Sequence, residues 1–320
     1  MNTEISGIVF IFIAAVALAI PLGRYIGKVY NGDATWADKI LSPLDKIFFK
    51  LGGVNPTKQM TWKQHLVALL TINLSWFVLS MLVLTNMSWL PLNPDGNPSM
   101  SADLAFNTSV SFVTNTNLQH YSGESGLSYL GQMILMLWQF ISAAAGMAIC
   151  AVVFMAMKEK ANDKLGNYYN FFVKSVTRVL LPLSIIVAVV LLFNGTPMTI
   201  EGKSQFVSMQ GDTVNVSRGP AAAQIAIKQL GTNGGGFFGV NSAHPFENPN
   251  YFTNIVENLC IILIPIALIF ALGYIIKRKK LAWTVFAVMT IGFLMLLIST
   301  VMSEMHGNAA IAKMNIGQAM

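Results

Sequence analysis

Charge is scarce in this chain. Of 320 residues only 11% are Asp, Glu, Lys or Arg, while 54% are hydrophobic and the mean hydropathy is +0.58. A soluble domain carries about 25% charged residues, so the composition excludes a water-soluble enzyme and specifies an all-α integral membrane protein. Cysteine is almost missing. Cys150 and Cys260 both fall within apolar runs, where small buried hydrophobes are expected and a disulfide is not. The four histidines, His65, His120, His244 and His306, show no HxxH or HxxxH spacing, which leaves a transition-metal centre without support. Also lacking is an Asp-Lys-Thr-Gly-Thr phosphorylation sequence. Gly202-Lys203-Ser204 is no nucleotide loop, because the glycine needed five residues before Gly202 is Pro197. Any ATP chemistry must therefore be handled elsewhere.

What is present in abundance is long apolar runs. Six are expected to be transmembrane helices, at about 5–29, 64–89, 127–157, 178–193, 252–276 and 281–305. The connection 31–63 is polar and has room for one short interfacial helix. Trp89, Pro91 and Pro94 mark a headgroup boundary. Pro182 predicts a kink, and 194–219 reads as polar loop. Gln132 and Gln139, seven apart, share one helix face that either lines a pore or packs.

The net charge of +6 says less than the placement of its carriers. Seven of the 20 basic residues lie between Arg24 and Lys63, five between Lys158 and Arg178, and four at 277–280. The positive-inside rule puts these 16 on the cytoplasmic side and the N-terminus outside. Nucleic acid is not implied.

Two polar stretches interrupt the apolar pattern on the outer side. In the second, 229–249, Gly219 and Pro220 start a helix over 221–230 that stops at Gly231. Thr232, Asn233 and three glycines follow, residues whose backbone carbonyls can come within reach of a guest. A dehydrated cation is such a guest, favoured by the partial negative charge at a helix C-terminus. The first stretch, 101–119, repeats the plan: a helix start at Ser101, an apolar approach, then Thr114-Asn115-Thr116-Asn117. Repetition at one structural position predicts a repeat architecture with two re-entrant pore loops entering from outside.

Ionisable residues near these loops admit quieter readings. Lys228 is expected to snorkel, Asp103 and Glu124 to be solvated loop charges, and Glu257 to cap the fifth helix. A membrane enzyme using Glu247, Glu257 or His244 finds no paired constellation in the sequence.

Several long motifs resemble one family: WKQ at 62–64, PLNP at 91–94, SFVTNTN at 111–117, YSGE at 121–124, LGTNGGGFF at 230–238 and HPFENP at 244–249. They are similar to KdpA, the potassium-binding subunit of the Kdp potassium-transporting ATPases, and the resemblance covers essentially the whole chain. Gly239 departs from the asparagine expected in some relatives. The resemblance implies potassium binding by Asn115, Thr116, Asn117, Thr232, Asn233 and Gly234, with Asn241 beside them and Gln119 and Gly235 shaping the vestibule. It implies a noncatalytic subunit of an ATP-driven uptake pump in the bacterial inner membrane. Its partners would be the P-type ATPase subunit KdpB, KdpC and a small KdpF-like subunit, with potassium as cargo and no bound cofactor. A passive channel or ion-coupled potassium transporter is the alternative. The family surrounds one pore with four repeats. Residues 1–62 then hold the first helix and a cytoplasmic connection, 63–158 repeat one, 159–280 repeat two, and 281–320 the opening of repeat three. A chain ending at Met320 is expected to be a truncation, or half a pore completed by another polypeptide.

Overall fold

The computed structural model describes residues 3–159, 163–307, 311, 313 and 314. In chain order its helices are α1 (Thr3–Asn31), α2 (Asp38–Leu51), α3 (Trp62–Leu84), α4 (Ala102–Val113), the single turn α5 (Gly123–Gly126) and α6 (Tyr129–Lys158). There follow α7 (Tyr168–Lys174), a π-helical segment (Ser175–Leu180) and α8 (Leu181–Phe193), which form one rod. Strands β1 (Ser204–Val207) and β2 (Thr213–Val216) precede α9 (Ala221–Leu230), α10 (Tyr251–Ile275) and α11 (Lys279–His306). Among the described residues six helices are long and apolar enough to cross a membrane: α1, α3, α6, the α7–α8 rod, α10 and α11. These are the six expected spans, and α2 occupies the connection where one short helix was expected.

Two apolar cores organise the spans. One gathers Leu84, Phe112, Leu135 and Trp138 from α3, α4 and α6. The other joins α1, α6, the α7–α8 rod, α9 and α10 through Ile26, Ala144, Leu180, Ile225 and Phe270. Helix α1 packs along α10 and not along its sequence neighbour α3. Small residues make that approach possible: a Cβ on Gly23 would lie 2.7 Å from Phe270 Cβ, and one on Gly27 would lie 2.7 Å from the Tyr274 ring.

The fourth span begins at Tyr168, ten residues before the expected start, so Arg178 lies inside it and not among the solvated basic residues. Acceptors from α2 make this tolerable. The guanidinium lies 2.5 Å from Asp45 and 3.2 Å from Asp38, and donates to Ala37 O at 3.2 Å; Thr177 Oγ1 donates to Asp45 Oδ1 at 2.7 Å. Pro182 does perturb this rod, as a π turn just before it. Proline has no N–H for the carbonyl four residues earlier, and that carbonyl, Arg178 O, accepts the Tyr25 hydroxyl at 3.1 Å.

The stretch 194–219 is not all loop. It contains an antiparallel hairpin in register Ser204↔Val216 to Val207↔Thr213. Phe206, Val207 and Val214 are exposed, so no buried face gave this segment a strong strand signal. Its base is tied down by Lys203 N–H, which donates to Asp95 Oδ1 at 2.7 Å.

After α9 the chain folds into an aromatic column. The rings of Phe238 and His244 stack at 3.9 Å with planes 2° apart, and Phe237 meets Phe238 edge-on at 4.9 Å. Phe246 N–H donates to His244 Nδ1 at 3.1 Å, which requires a bare ring nitrogen there. Burial pushes the His244 pKa below the ordinary histidine value, against the opposing pull of Glu124 and Glu247.

Two outcomes follow from these packings. Arg178→Met leaves Asp45 buried without its cation, which should cost roughly 3–5 kcal/mol. Thermal unfolding in detergent should show a larger loss than for Asp38→Asn, whose carboxylate is partly exposed. For His244 the unfolded chain binds the proton that the folded state refuses. Its stability contribution is therefore complete above about pH 6.5 and declines as pH falls below that value. His244→Phe should remove this part of the slope of melting temperature against pH between about pH 7.5 and 5.5.

Candidate functional site

Helices α4 and α9 end in the same way. After α4, Asn115 N–H bonds to Phe112 O at 3.4 Å and Thr116 N–H to Ser111 O at 3.0 Å. After α9, Thr232 N–H bonds to Gln229 O at 3.2 Å and Asn233 N–H to Lys228 O at 3.0 Å. Both are Schellman closures, with Asn115 at φ 64° and Thr232 at φ 57° in the left-handed position that glycine usually fills. For β-branched threonine this backbone costs about 1–3 kcal/mol and must be held by its surroundings. Gly231 is the C-cap at which α9 stops, as expected, but its φ of −74° leaves the left-handed position to the next residue.

The two loops meet. Asn115 Oδ1 accepts from Asn233 Nδ2 and, at 2.8 Å, from Ser142 Oγ of α6, while Asn115 Nδ2 reaches Gly231 O at 3.5 Å. Gly234 and Gly235 lie against the first loop's carbonyls. A Cβ on Gly234 would stand 3.1 Å from Asn117 O and 3.3 Å from Thr116 O. Gly235, at φ 66°, would place one 2.9 Å from Asn117 O. Gln119 grips the Gly236 peptide from both ends, its Nε2 donating to Gly236 O at 3.2 Å and its Oε1 accepting Gly236 N–H at 3.0 Å.

Helix α6 supplies the backing. Gln139 Nε2 donates to Gly234 O at 2.9 Å and Gln132 Nε2 to Phe237 O at 3.3 Å. The shared face of these glutamines therefore holds the second loop's backbone. An unmet buried carbonyl costs about 1–3 kcal/mol, so buried irregular backbone needs such donors.

The residues expected to bind an ion are not all gathered. Asn115, Asn117, Asn233, Gly234, Gly235 and Gln119 form one cluster, with Asn117 and Asn233 buried and Thr116 exposed at its edge. Thr232 is exposed and borders an apolar groove lined by Phe12, Pro265 and Phe293. Asn241, at φ 58°, turns its Oδ1 to Lys228 Nζ at 2.5 Å. Both polar side-chain atoms of Asn117, and Gln139 Oε1 and Asn233 Oδ1, are buried with no protein partner. The oxygens on offer in the cluster are amide, hydroxyl and backbone carbonyl oxygens, all neutral, and among the described residues no group of three or more His, Cys, Asp or Glu could hold a metal ion.

Three charged residues depart from expectation. Lys228 does not snorkel: it is 1% exposed and paired with Glu247, which is fully buried. Glu257 does not cap α10, since Asn250 does so by accepting Thr253 N–H at 3.0 Å. Glu257 is buried within that helix, accepting Gln229 Nε2 at 2.8 Å. Glu124 is no free loop charge, because its Oε2 accepts Gly239 N–H at 2.7 Å and joins the two return segments. The ion pair was missed because its members are 19 residues apart across an irregular loop. HPFENP, a polar run with one buried carboxylate, was the available signal.

Comparison with known proteins agrees over nearly the whole length. Residues 9–320 match the family described as KdpA, potassium-transporting ATPase A subunit. A potassium-transporting ATPase potassium-binding subunit of Flavobacterium psychrophilum is 61% identical over 319 residues, covering 100% of this chain and 56% of that protein. The subunit of the same name from Phocaeicola vulgatus is 50% identical over 319 residues, covering 99% and 56%. That of Caldanaerobacter subterraneus is 39% identical over 302 residues, covering 94% and 54%. The chain thus spans about half the length of the curated relatives it matches, and it belongs to the KdpA family of potassium-transporting ATPase A subunits.

Proposed function

We propose that this chain contributes half of a potassium-binding filter to an ATP-driven uptake pump. The observation that carries the reading is the meeting of two like-ended loops, from segments 118 residues apart, over a cluster of neutral amide and carbonyl oxygens. Hard, uncharged oxygens replace the water shell of an alkali cation and give a soft metal little reason to bind. Two helix C-termini add partial negative charge without a carboxylate.

Helices of 12 and 10 residues rise about 18 and 15 Å, well short of the roughly 30 Å hydrocarbon core. We therefore take 101–128 and 220–250 as re-entrant segments dipping from outside, with the N-terminus outside as well. Spans α3 and α6 frame the first within a repeat at 63–158. The α7–α8 rod and α10 frame the second within 159–280, and α11 opens a third at 281–320. Asn115, Thr116, Asn117, Thr232, Asn233 and Gly234 are the proposed potassium ligands, with Asn241 beside them. Gln119 and Gly235 shape the vestibule. The remaining oxygens come from chain beyond these two repeats.

The relatives' name, potassium-binding subunit of a potassium-transporting ATPase, supports an ATP-hydrolysing partner. By the family resemblance that partner is a P-type subunit, KdpB, assembled with KdpC and a small KdpF-like chain in the bacterial inner membrane. This chain's part is recognition and delivery of the ion.

Gly234→Asp puts a side chain against the carbonyls of Thr116 and Asn117 and a charge into the ion path. Rubidium uptake by potassium-limited cells carrying the complete pump should then need roughly tenfold more ion or greater, since a misplacement of about 1 Å can cost two orders of magnitude. Unchanged potassium and rubidium dependence would defeat the filter assignment. Uptake that persists without the ATP-hydrolysing subunit would mark a passive channel instead.

A further inference from the structure

Lys228 touches the second loop twice. Its carbonyl accepts Asn233 N–H at 3.0 Å, where the loop begins. Its ammonium group spends its donors where the loop ends, on Glu247, on Asn241 Oδ1 at 2.5 Å and on Ser242 Oγ at 3.1 Å. Three protons meet three acceptors. One residue thus ties down both ends of the segment between Asn233 and Asn241.

The pair also lies directly behind the loop's backbone. A Cβ on Gly236 would stand 3.3 Å from Lys228 Nζ and 3.4 Å from Glu247 Oε2, so glycine here lets the charges lie close against the backbone. On its other side the same peptide is held at both ends by Gln119. Gln229 fixes the pair's surroundings, donating to Ser242 Oγ at 3.0 Å and to Glu257 Oε2 at 2.8 Å.

Stability alone is a poor reason for such an arrangement. Desolvating two charges offsets most of their attraction, and a buried pair can often be exchanged for apolar residues of similar volume at no loss. What the pair has over an apolar plug is direction, because each hydrogen bond fixes an angle. A lone ammonium beside a cation path would repel the cation, and Glu247 cancels that charge. We propose that the Lys228–Glu247 pair is a positioning element that sets the carbonyl geometry of residues 234–236, and through it the discrimination of potassium from rubidium and sodium. This rests on the filter reading above.

The test uses the full-length subunit assembled with its ATPase partners and measures ATP hydrolysis stimulated by potassium, rubidium or sodium. Lys228→Met with Glu247→Leu removes both charges together and leaves no orphaned charge. The expected result is a roughly tenfold rise in KM for potassium, a reduced preference over rubidium and sodium, and a kcat near that of the parent. An assembled double variant with the parent's KM and ion preference overturns the proposal and makes the pair merely structural. Ser242→Ala, which deletes a single acceptor, covers the case in which the double variant does not assemble. It should move the same two readouts in the same direction, and no movement overturns the proposal. Gly234→Asp measured alongside separates the two ideas. If it raises KM while the pair variants do not, the filter reading stands and the positioning role fails; if neither moves KM, the filter reading itself has failed.

Discussion

Backbone that leaves a helix inside a membrane must find its hydrogen bonds in protein, because hydrocarbon offers none. On the proposed re-entrant reading of the two loops, most of this architecture answers that constraint. Helices α4 and α9 stop early, and the irregular segments after them would expose a run of unmet N–H and C=O groups. Instead Gln119, Gln132 and Gln139 bond the second loop's peptides, and Asn115 bonds Asn233, Gly231 and Ser142. Glutamine and asparagine suit the task, since an amide side chain mimics the peptide group it replaces. These contacts fix the frame that carries the buried, unpartnered oxygens of Asn117, Asn233 and Gln139.

The same logic governs the charged residues. Arg178 and Lys228 lie deep, and each is matched by carboxylates drawn from elsewhere in the chain, Asp38 and Asp45 in one case and Glu247 in the other. The first joins α2 to the fourth span on the side assigned to the cytoplasm. The second joins the end of α9 to the return segment on the side assigned to the exterior. Neither acts as a surface charge, and removing one partner alone would be worse than removing both.

Much of this was legible in the sequence, for physical reasons that also mark the limit. Six spans follow from apolar runs, since hydrocarbon thickness fixes how long they must be. The bounds of α9 were readable from Gly219, Pro220 and Gly231, and the start of α4 from Ser101, because helix ends are local chemistry. Gly231 is where α9 stops, yet the left-handed role fell to the next residue, Thr232, an identity that propensity disfavours. The hairpin at 204–216 was illegible because it lacks a buried face. The partners of Lys228 and Arg178 were hidden for a different reason: a one-dimensional pattern tells which residues share a helix face, not which distant side chain arrives to meet them. At the candidate site, the resemblance named the residues proposed to bind the ion, while the glutamine brace from α6 was visible only as two residues on one face.

The pairing of α1 with α10 carries a consequence for how the protein is made. A ribosome adding roughly 5–20 residues per second needs on the order of tens of seconds between releasing α1 and completing α10. Through that interval the face bearing Gly23 and Gly27, built to receive Phe270 and Tyr274, is in lipid or in the care of the insertion machinery. Assembly is therefore not a march along the chain. Helix α1 waits for α10, and the two pair only when the second loop's return segment has already been made.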